Sequence, residues 1–188
     1  EAIYSFLKFK IKKNFFFLNN LKLEKKNRKK DQLNIFISKS GNTLETINNF
    51  HNLSKKDKFL FITENKNNYL RKIANKMKSE IFDHRDFIGG RYSVLSETGM
   101  LPAMLMGLNC KKFKRFNYLI NNKNFEKKLI SNVSTIMYLY KNRKTNSIIL
   151  NYDEASQDLF YWYQQLVAES LGKKRQRYFT YYFVGSKR

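Results

Sequence analysis

Leu33-Asn34-Ile35-Phe36-Ile37-Ser38-Lys39-Ser40-Gly41-Asn42-Thr43-Leu44-Glu45-Thr46 is the stretch whose reading decides the fold. Leu33 to Ser38 is a short, largely apolar run of strand length, with β-branched residues. Leu44, Ile47 and Phe50 then share one face at helical spacing, which predicts a helix from Thr43 to Leu53. A polar turn with one glycine joins the two. A strand that runs through a tight loop directly into a helix is characteristic of parallel sheets.

The same alternation extends in both directions. The spacing of Ile3, Phe6, Leu7 and Ile11 predicts a helix from Ala2 to Lys12. Phe15 to Leu18 reads as a strand, and Leu21 to Lys30 as a weak, charged helix. Strands are expected at Phe59 to Thr63 and at Ile81-Phe82, with a helix from Tyr69 to Met77 between them. An apolar helix from Ser96 to Leu108 follows, with Pro102 expected near its first turn. Phe125 to Tyr140 reads as a long helix and Ser147 to Leu150 as a buried strand. Ala155 to Lys173 reads as a helix closed by Gly172. No repeat and no Gly/Ser linker is visible, so one domain is expected. The pattern predicts an α/β fold with a parallel sheet covered on both faces. In such sheets ligands bind beyond the carboxyl ends of the strands, where the loop after Ile37 lies.

The chain has 188 residues, enough for one core, and 42% hydrophobic residues, too many for a disordered tail. No apolar run reaches the ~18 residues of a membrane span. The start, Glu1-Ala2-Ile3-Tyr4, lacks the marks of a secretory signal. A single cysteine, Cys110, excludes an internal disulfide and suits a reducing cytoplasm. Lys and Arg number 37 against 15 acids, a net charge of +22. That balance is the usual footprint of a nucleic-acid binder. Here the lysines are dispersed, and the chain is also rich in Asn, Ile, Phe and Tyr, whose codons share the A/T bias of lysine codons. Biased coding DNA explains the charge better than specific nucleic-acid binding does. A basic field also draws in an anionic substrate. His51 and His84 have no metal-ligand pattern around them and read as surface residues.

Three segments carry candidate chemistry. Ser38, Ser40 and Thr43 place hydroxyls beside the free N–H groups of a helix start, which makes a cradle for a phosphate monoester. Lys39 sits among them, and Gly41 permits the tight turn. An ordinary helix capped by Asn42 or Thr43 reads the same residues equally well. Gly89-Gly90-Arg91-Tyr92-Ser93 supplies an arginine that can stabilise charge developing on a substrate oxygen, or can form a structural ion pair. Gln165 and Glu169 lie four residues apart and project from one helix face. Partial burial of Glu169 would raise its pKa toward that of a general base. A helix-end ion pair with Lys173 is the plainer reading.

Taken together, the three segments resemble glucose-6-phosphate isomerases built from sugar-isomerase (SIS) domains. Asp86-Phe87-Ile88-Gly89-Gly90-Arg91-Tyr92-Ser93-Val94-Leu95-Ser96 is similar to a family signature, and Gln164 to Lys173 matches Gln-Gln-x-x-x-Glu-Ser-x-Gly-Lys. The resemblance implies a three-layer α-β-α sandwich of SIS type and interconversion of glucose 6-phosphate and fructose 6-phosphate through a cis-enediol. It implies Glu169 as the base and Arg91 as the cation that steadies the enediolate. Ser38, Ser40 and Thr43 become phosphate ligands with Lys39 beside them, and Gln165 a substrate contact. It implies no metal and no cofactor, a homodimeric parent and a cytoplasmic location.

The resemblance departs from the family at both ends. A Gly-Gly-Ser loop should precede Glu1, and a ring-opening histidine should follow the glutamate motif. Glu97 stands where a small residue is usual. The expected organisation is a SIS-type domain over 1–150, an active-site helix over 151–174 and an aberrant tail over 175–188. The chain on its own is expected to be a poor catalyst. A non-catalytic phosphosugar-binding regulator is the alternative, with a basic nucleic-acid-binding domain behind it; a bifunctional parent stays open. In the tail, Arg175 to Phe183 can be encoded by AGG CAA AGG TAT TTT ACC TAT TAT TTC. Read one base later, this spells Gly-Lys-Gly-Ile-Leu-Pro-Ile-Ile, the family's continuation. A tail translated out of frame is therefore expected to pack poorly, and a divergent Tyr/Phe-rich strand is the plainer alternative.

Overall fold

The structure is a computed structural model that describes residues 1–19, 32–53, 57–113, 115–171 and 179–184. In chain order the elements are α1 (Ala2–Leu7), β1 (Leu33–Ile37), α2 (Leu44–His51), β2 (Lys58–Glu64), α3 (Tyr69–Lys76), β3 (Glu80–His84), α4 (Glu97–Leu105), α5 (Cys110–Phe113), α6 (Asn117–Ile120), α7 (Lys123–Lys141), β4 (Asn146–Asn151), α8 (Gln157–Leu171) and β5 (Phe179–Val184). Short 3-10 turns occupy Lys8–Lys10, Gly90–Leu95 and Glu154–Ser156. Contacts divide the chain into two compact units, Asn14–Pro102 and Glu1–Lys13 with Ala103–Arg188.

The first unit is built on a parallel sheet of order β1-β2-β3, with Phe36 opposite Phe61 and Ile62 opposite Phe82. Side chains alternate across a strand, and the central strand β2 must bury both sets. Phe59 and Phe61 point into a cluster with Phe36, Leu70 and Ala74, against which Ile47 and Phe50 of α2 and Ile73 of α3 pack. The ring centroids of Phe36 and Phe61 stand 5.5 Å apart, as do those of Phe36 and Phe50. Leu60 and Ile62 point the other way, to Leu101 of α4. Helices therefore cover both faces, and the expected α/β sandwich with a parallel sheet is present. This two-sided burial is why Phe59 to Ile62 is an unbroken apolar run.

The second unit carries α5 to α8 and a parallel pair, β4 and β5, in which Ile148 faces Tyr181. Residues of α8 pack on β5 and on α1. The expected buried strand at Ser147 to Leu150 is only half covered. Ser147 and Ile149 are partly buried, while Ile148 and Leu150 are more than 60% exposed. A two-stranded sheet with helix packing on one side cannot hide both faces. Residues 179–184 do form a strand; the turn expected before it lies outside the described residues, as does Gly172.

Other expectations are corrected. Pro102 is not in the first turn of α4 but inside it, five residues past Glu97. It removes one main-chain donor from an apolar helix whose Leu101 and Ala103 are buried. Phe15 to Leu18 form no strand, because they have no hydrogen-bonded neighbour strand among the described residues. The expected helix from Leu21 to Lys30 lies outside the described residues. No described helix is long and apolar enough to cross a membrane.

Candidate functional site

The loop from Ser38 to Thr43 leaves β1 at its carboxyl end and is fixed on several sides. Ser38 N–H donates to the Ile62 carbonyl at 3.0 Å, and Glu64 N–H donates to the Lys39 carbonyl at 3.0 Å. Gly41 has φ +65°, a conformation suited to glycine. A Cβ there would stand 2.0 Å from Asn68 Oδ1 and 2.7 Å from Thr63 Oγ1, so the position has no room for a side chain. Ser38 is buried, and its hydroxyl accepts the Gly41 N–H at 3.2 Å.

The starts of α2 and α3 differ in how they are capped. At α3, Asn68 is a working N-cap whose Oδ1 accepts the Arg71 N–H at 2.9 Å. Two more amides of that start are taken, Tyr69 N–H by Asn42 Oδ1 and Leu70 N–H by the Gly41 carbonyl, each at 3.0 Å. At α2, Thr43 occupies the cap position but makes no side-chain cap bond. Its hydroxyl pairs instead with Ser38 Oγ at 2.7 Å. Among the described residues the first-turn N–H groups of α2 have no side-chain acceptor, beside exposed Ser40 and Thr43. Such a start attracts an anion through both its donors and its dipole. The ordinary-cap reading fails for Thr43 and Asn42, since the Asn42 side chain caps the wrong helix.

Lys39 lies in the same loop, but its ammonium turns away to the main chain of Asp86 and Ile88, 2.8 Å from each carbonyl. It also lies 3.3 Å from Glu64 Oε1, and Lys66 meets the other oxygen at 2.9 Å. The Lys66 hydrogen bond, against burial and with help from Lys39, holds the Glu64 carboxyl below its ordinary range. Glu64 escaped sequence reasoning. Its one signal was a carboxylate at the carboxyl end of an apolar strand, where sites of this fold form.

Arg91 sits in the 3-10 turn Gly90–Leu95, partly buried, with its guanidinium 5.5 Å from the centre of the Tyr92 ring. The turn is locked by Ser93 Oγ donating to the Gly90 carbonyl at 2.6 Å and by Ser96 Oγ donating to the Ser93 carbonyl at 2.7 Å. Neither Gly89 nor Gly90 has a positive φ. Gly89 lies close to the Tyr92 ring, with 3.3 Å left for a Cβ.

His84 is not a surface residue as expected: it is 3% exposed at the end of β3. Its Nδ1 lies 2.9 Å from the Arg85 carbonyl, so Nδ1 carries the proton, and Nε2 has no partner among the described residues. Glu97 accepts the Arg85 N–H at 2.8 Å at the start of α4. Burial pushes the Glu97 carboxyl up, but main-chain N–H groups and the charges of His84 and Arg85 bring it below its ordinary value. His51 is exposed and meets the Tyr69 hydroxyl at 3.0 Å. No group of metal-binding side chains occurs among the described residues.

In the second unit, Gln165 and Glu169 share one face of α8, with Gln165 Nε2 donating to Glu169 Oε1 at 2.9 Å. The i, i+4 spacing predicted that proximity. Partial burial of Glu169 is not found. Glu169 is exposed, because this face of α8 is turned outwards among the described residues. Lys173, its suggested partner, lies outside them.

Comparison with known proteins shows the family. Residues 21–181 match the phosphoglucose isomerase family. Glucose-6-phosphate isomerase of Methanocaldococcus jannaschii is 31% identical over 93% of this chain and 48% of its own length. The probable glucose-6-phosphate isomerase of Methanococcus maripaludis is 33% identical over 83% of the chain and 37% of its own. That of Campylobacter jejuni is 30% identical over 84% and 40%. The chain thus spans about half the length, or less, of these curated relatives. Among solved structures, a hypothetical protein from Thermus thermophilus aligns with a TM-score of 0.60 at 25% identity, over 80% of this chain and 40% of that one.

Proposed function

Because the chain belongs to the phosphoglucose isomerase family, we propose that it carries the phosphate cradle, the cation and the base of an aldose–ketose isomerase acting on glucose 6-phosphate and fructose 6-phosphate. The observation that carries this reading is the uncapped start of α2, where Ser38 and Thr43 bond to each other at 2.7 Å instead of closing the helix. The phosphate docks there on hydroxyls and first-turn amides, and leaves the sugar carbons to the other groups.

The proton transfer then runs as follows. In the open-chain aldose, Glu169 takes the proton from C2. The C2–H electron pair forms the C1–C2 double bond, and negative charge moves to the C1 oxygen. Arg91 stabilises that charge by charge-assisted hydrogen bonding. The C1 oxygen takes up a proton from solvent, which the C2 hydroxyl later gives back, to give the cis-enediol. The C2 hydroxyl then loses its proton as the C2 carbonyl forms, and Glu169 delivers its proton to C1 to give the ketose. Gln165, bonded to Glu169, orients the carboxylate and contacts the substrate. The reaction is proposed to need no metal or cofactor, in a cytoplasmic, homodimeric protein.

A coupled assay on the full-length protein tests this: fructose 6-phosphate should be converted to glucose 6-phosphate. Saturable binding of fructose 6-phosphate without turnover would favour the regulatory alternative and overturn the catalytic reading.

A further inference from the structure

A lysine ammonium has three N–H donors. Three acceptors surround Lys39 Nζ: the Asp86 carbonyl at 2.8 Å, the Ile88 carbonyl at 2.8 Å and Glu64 Oε1 at 3.3 Å. The main chain of Lys39 is held too, since its carbonyl accepts from Glu64 N–H at 3.0 Å and from Thr63 Oγ1 at 3.3 Å. Glu64 is buried, so a lysine that left it would expose a buried carboxylate to the loss of one of its two cations. Both carbonyls belong to the segment that leads through Gly89 and Gly90 to Arg91.

We propose that Lys39 is a positioning residue and not an anion ligand: it ties the cradle loop to residues 86–88, and so fixes where the Arg91 turn begins relative to the cradle. The phosphate contacts come from the hydroxyls and the α2 amides alone. This inference rests on the reading of Arg91 as the reaction's cation. It explains why a lysine stands inside an anion-binding loop with its charge turned away. A lysine aimed at phosphate would compete with its own three acceptors. It would also release the Asp86 and Ile88 carbonyls, loosening the segment it now holds.

The test compares wild type and Lys39→Met in the full-length protein by amide hydrogen exchange and by titration with inorganic phosphate. The expected result is at least about tenfold faster exchange at Gly89 to Tyr92, with unchanged exchange at Phe61 and Ile62 in β2 and phosphate affinity within about threefold of wild type. A general loss of stability would speed the β2 amides as well and would overturn the positioning role. Unchanged exchange at residues 89–92, or a loss of phosphate affinity of tenfold or more, would also overturn it. Glu64→Gln provides a second arm that holds if Lys39→Met does not fold. It keeps both carbonyl contacts, so exchange at residues 89–92 should stay within about threefold. If the lysine were an anion ligand restrained by Glu64, phosphate would bind at least tenfold tighter in this variant, contradicting the proposal. Failure of the wild type to bind phosphate would sink the cradle reading, while the exchange arm would still decide the role of Lys39.

Discussion

Ser38 and Glu169 are held in opposite ways. Ser38 is buried, bonded through its amide to β2 and through its hydroxyl to Gly41 and Thr43, in a loop whose glycine has no room for a Cβ. Glu169 is exposed on α8, with the Gln165 amide on its carboxylate. The difference suits the two tasks proposed for them. Anion binding gains from dipoles that are already oriented and need no reorganisation. A base gains from an environment that closes around it only with substrate in place, because its pKa must suit proton transfer in the complex. Rigidity in the first region and exposure in the second are therefore both consistent with one reaction.

The largest effect should come from the exposed region. Glu169→Gln in the full-length protein should lower turnover by about 10²–10⁴-fold while fructose 6-phosphate still binds. Turnover near wild type would remove α8 from the chemistry. The stability contrast comes next. Phe61 is fully buried between β2 and the helices, so Phe61→Ala should cost about 3–5 kcal/mol in a urea titration. Ile148 is 62% exposed on β4, so Ile148→Ala should cost less than about 1 kcal/mol. Equal costs would mean that the two regions are not packed as described.

Gly41→Ala should destabilise by about 1–3 kcal/mol, since it combines a positive φ with displacement of the buried Asn68. Phosphate affinity should fall with it, and a variant as stable as wild type would show that the cradle tolerates another shape. The smallest effect concerns pH. The folded Glu64 carboxyl lies below its ordinary value of 4.5, chiefly through its hydrogen bond from Lys66. Its stabilising contribution is present above the unfolded pKa and is lost as pH falls through the lower, folded one. Wild type should therefore lose more stability than Glu64→Gln as pH drops below about 4.5. Parallel curves would show that the Lys39–Glu64–Lys66 cluster adds nothing.

The sheet was legible because β2 is buried on both faces, and continuous apolar runs such as Phe59 to Ile62 have few other meanings in an alternating pattern. Phe15 to Leu18 looked the same locally but has no described neighbour strand; pairing is a tertiary fact and leaves no mark on four residues. The Ser38 to Thr43 loop between β1 and α2 and the Gln165–Glu169 pair were legible because loop and helix geometry is set by near neighbours in sequence. The burial of His84 and the direction of Lys39 were not. His84 sits at the end of a short strand, and Lys39 reaches residues 47 and 49 positions away. The exposure of Glu169 was not legible either, since apolar neighbours on a helix do not say which face another element covers.

The most direct test of the account is a titration of the isotope-labelled full-length protein with fructose 6-phosphate, read by amide chemical shifts in wild type and Thr43→Val. The account predicts large, saturable shifts at the first-turn amides Leu44, Glu45 and Thr46, and marked weakening when the hydroxyl of Thr43 is removed. Saturation that leaves those three amides unmoved, or that is indifferent to Thr43→Val, would contradict the assignment of the β1–α2 loop as the phosphate cradle.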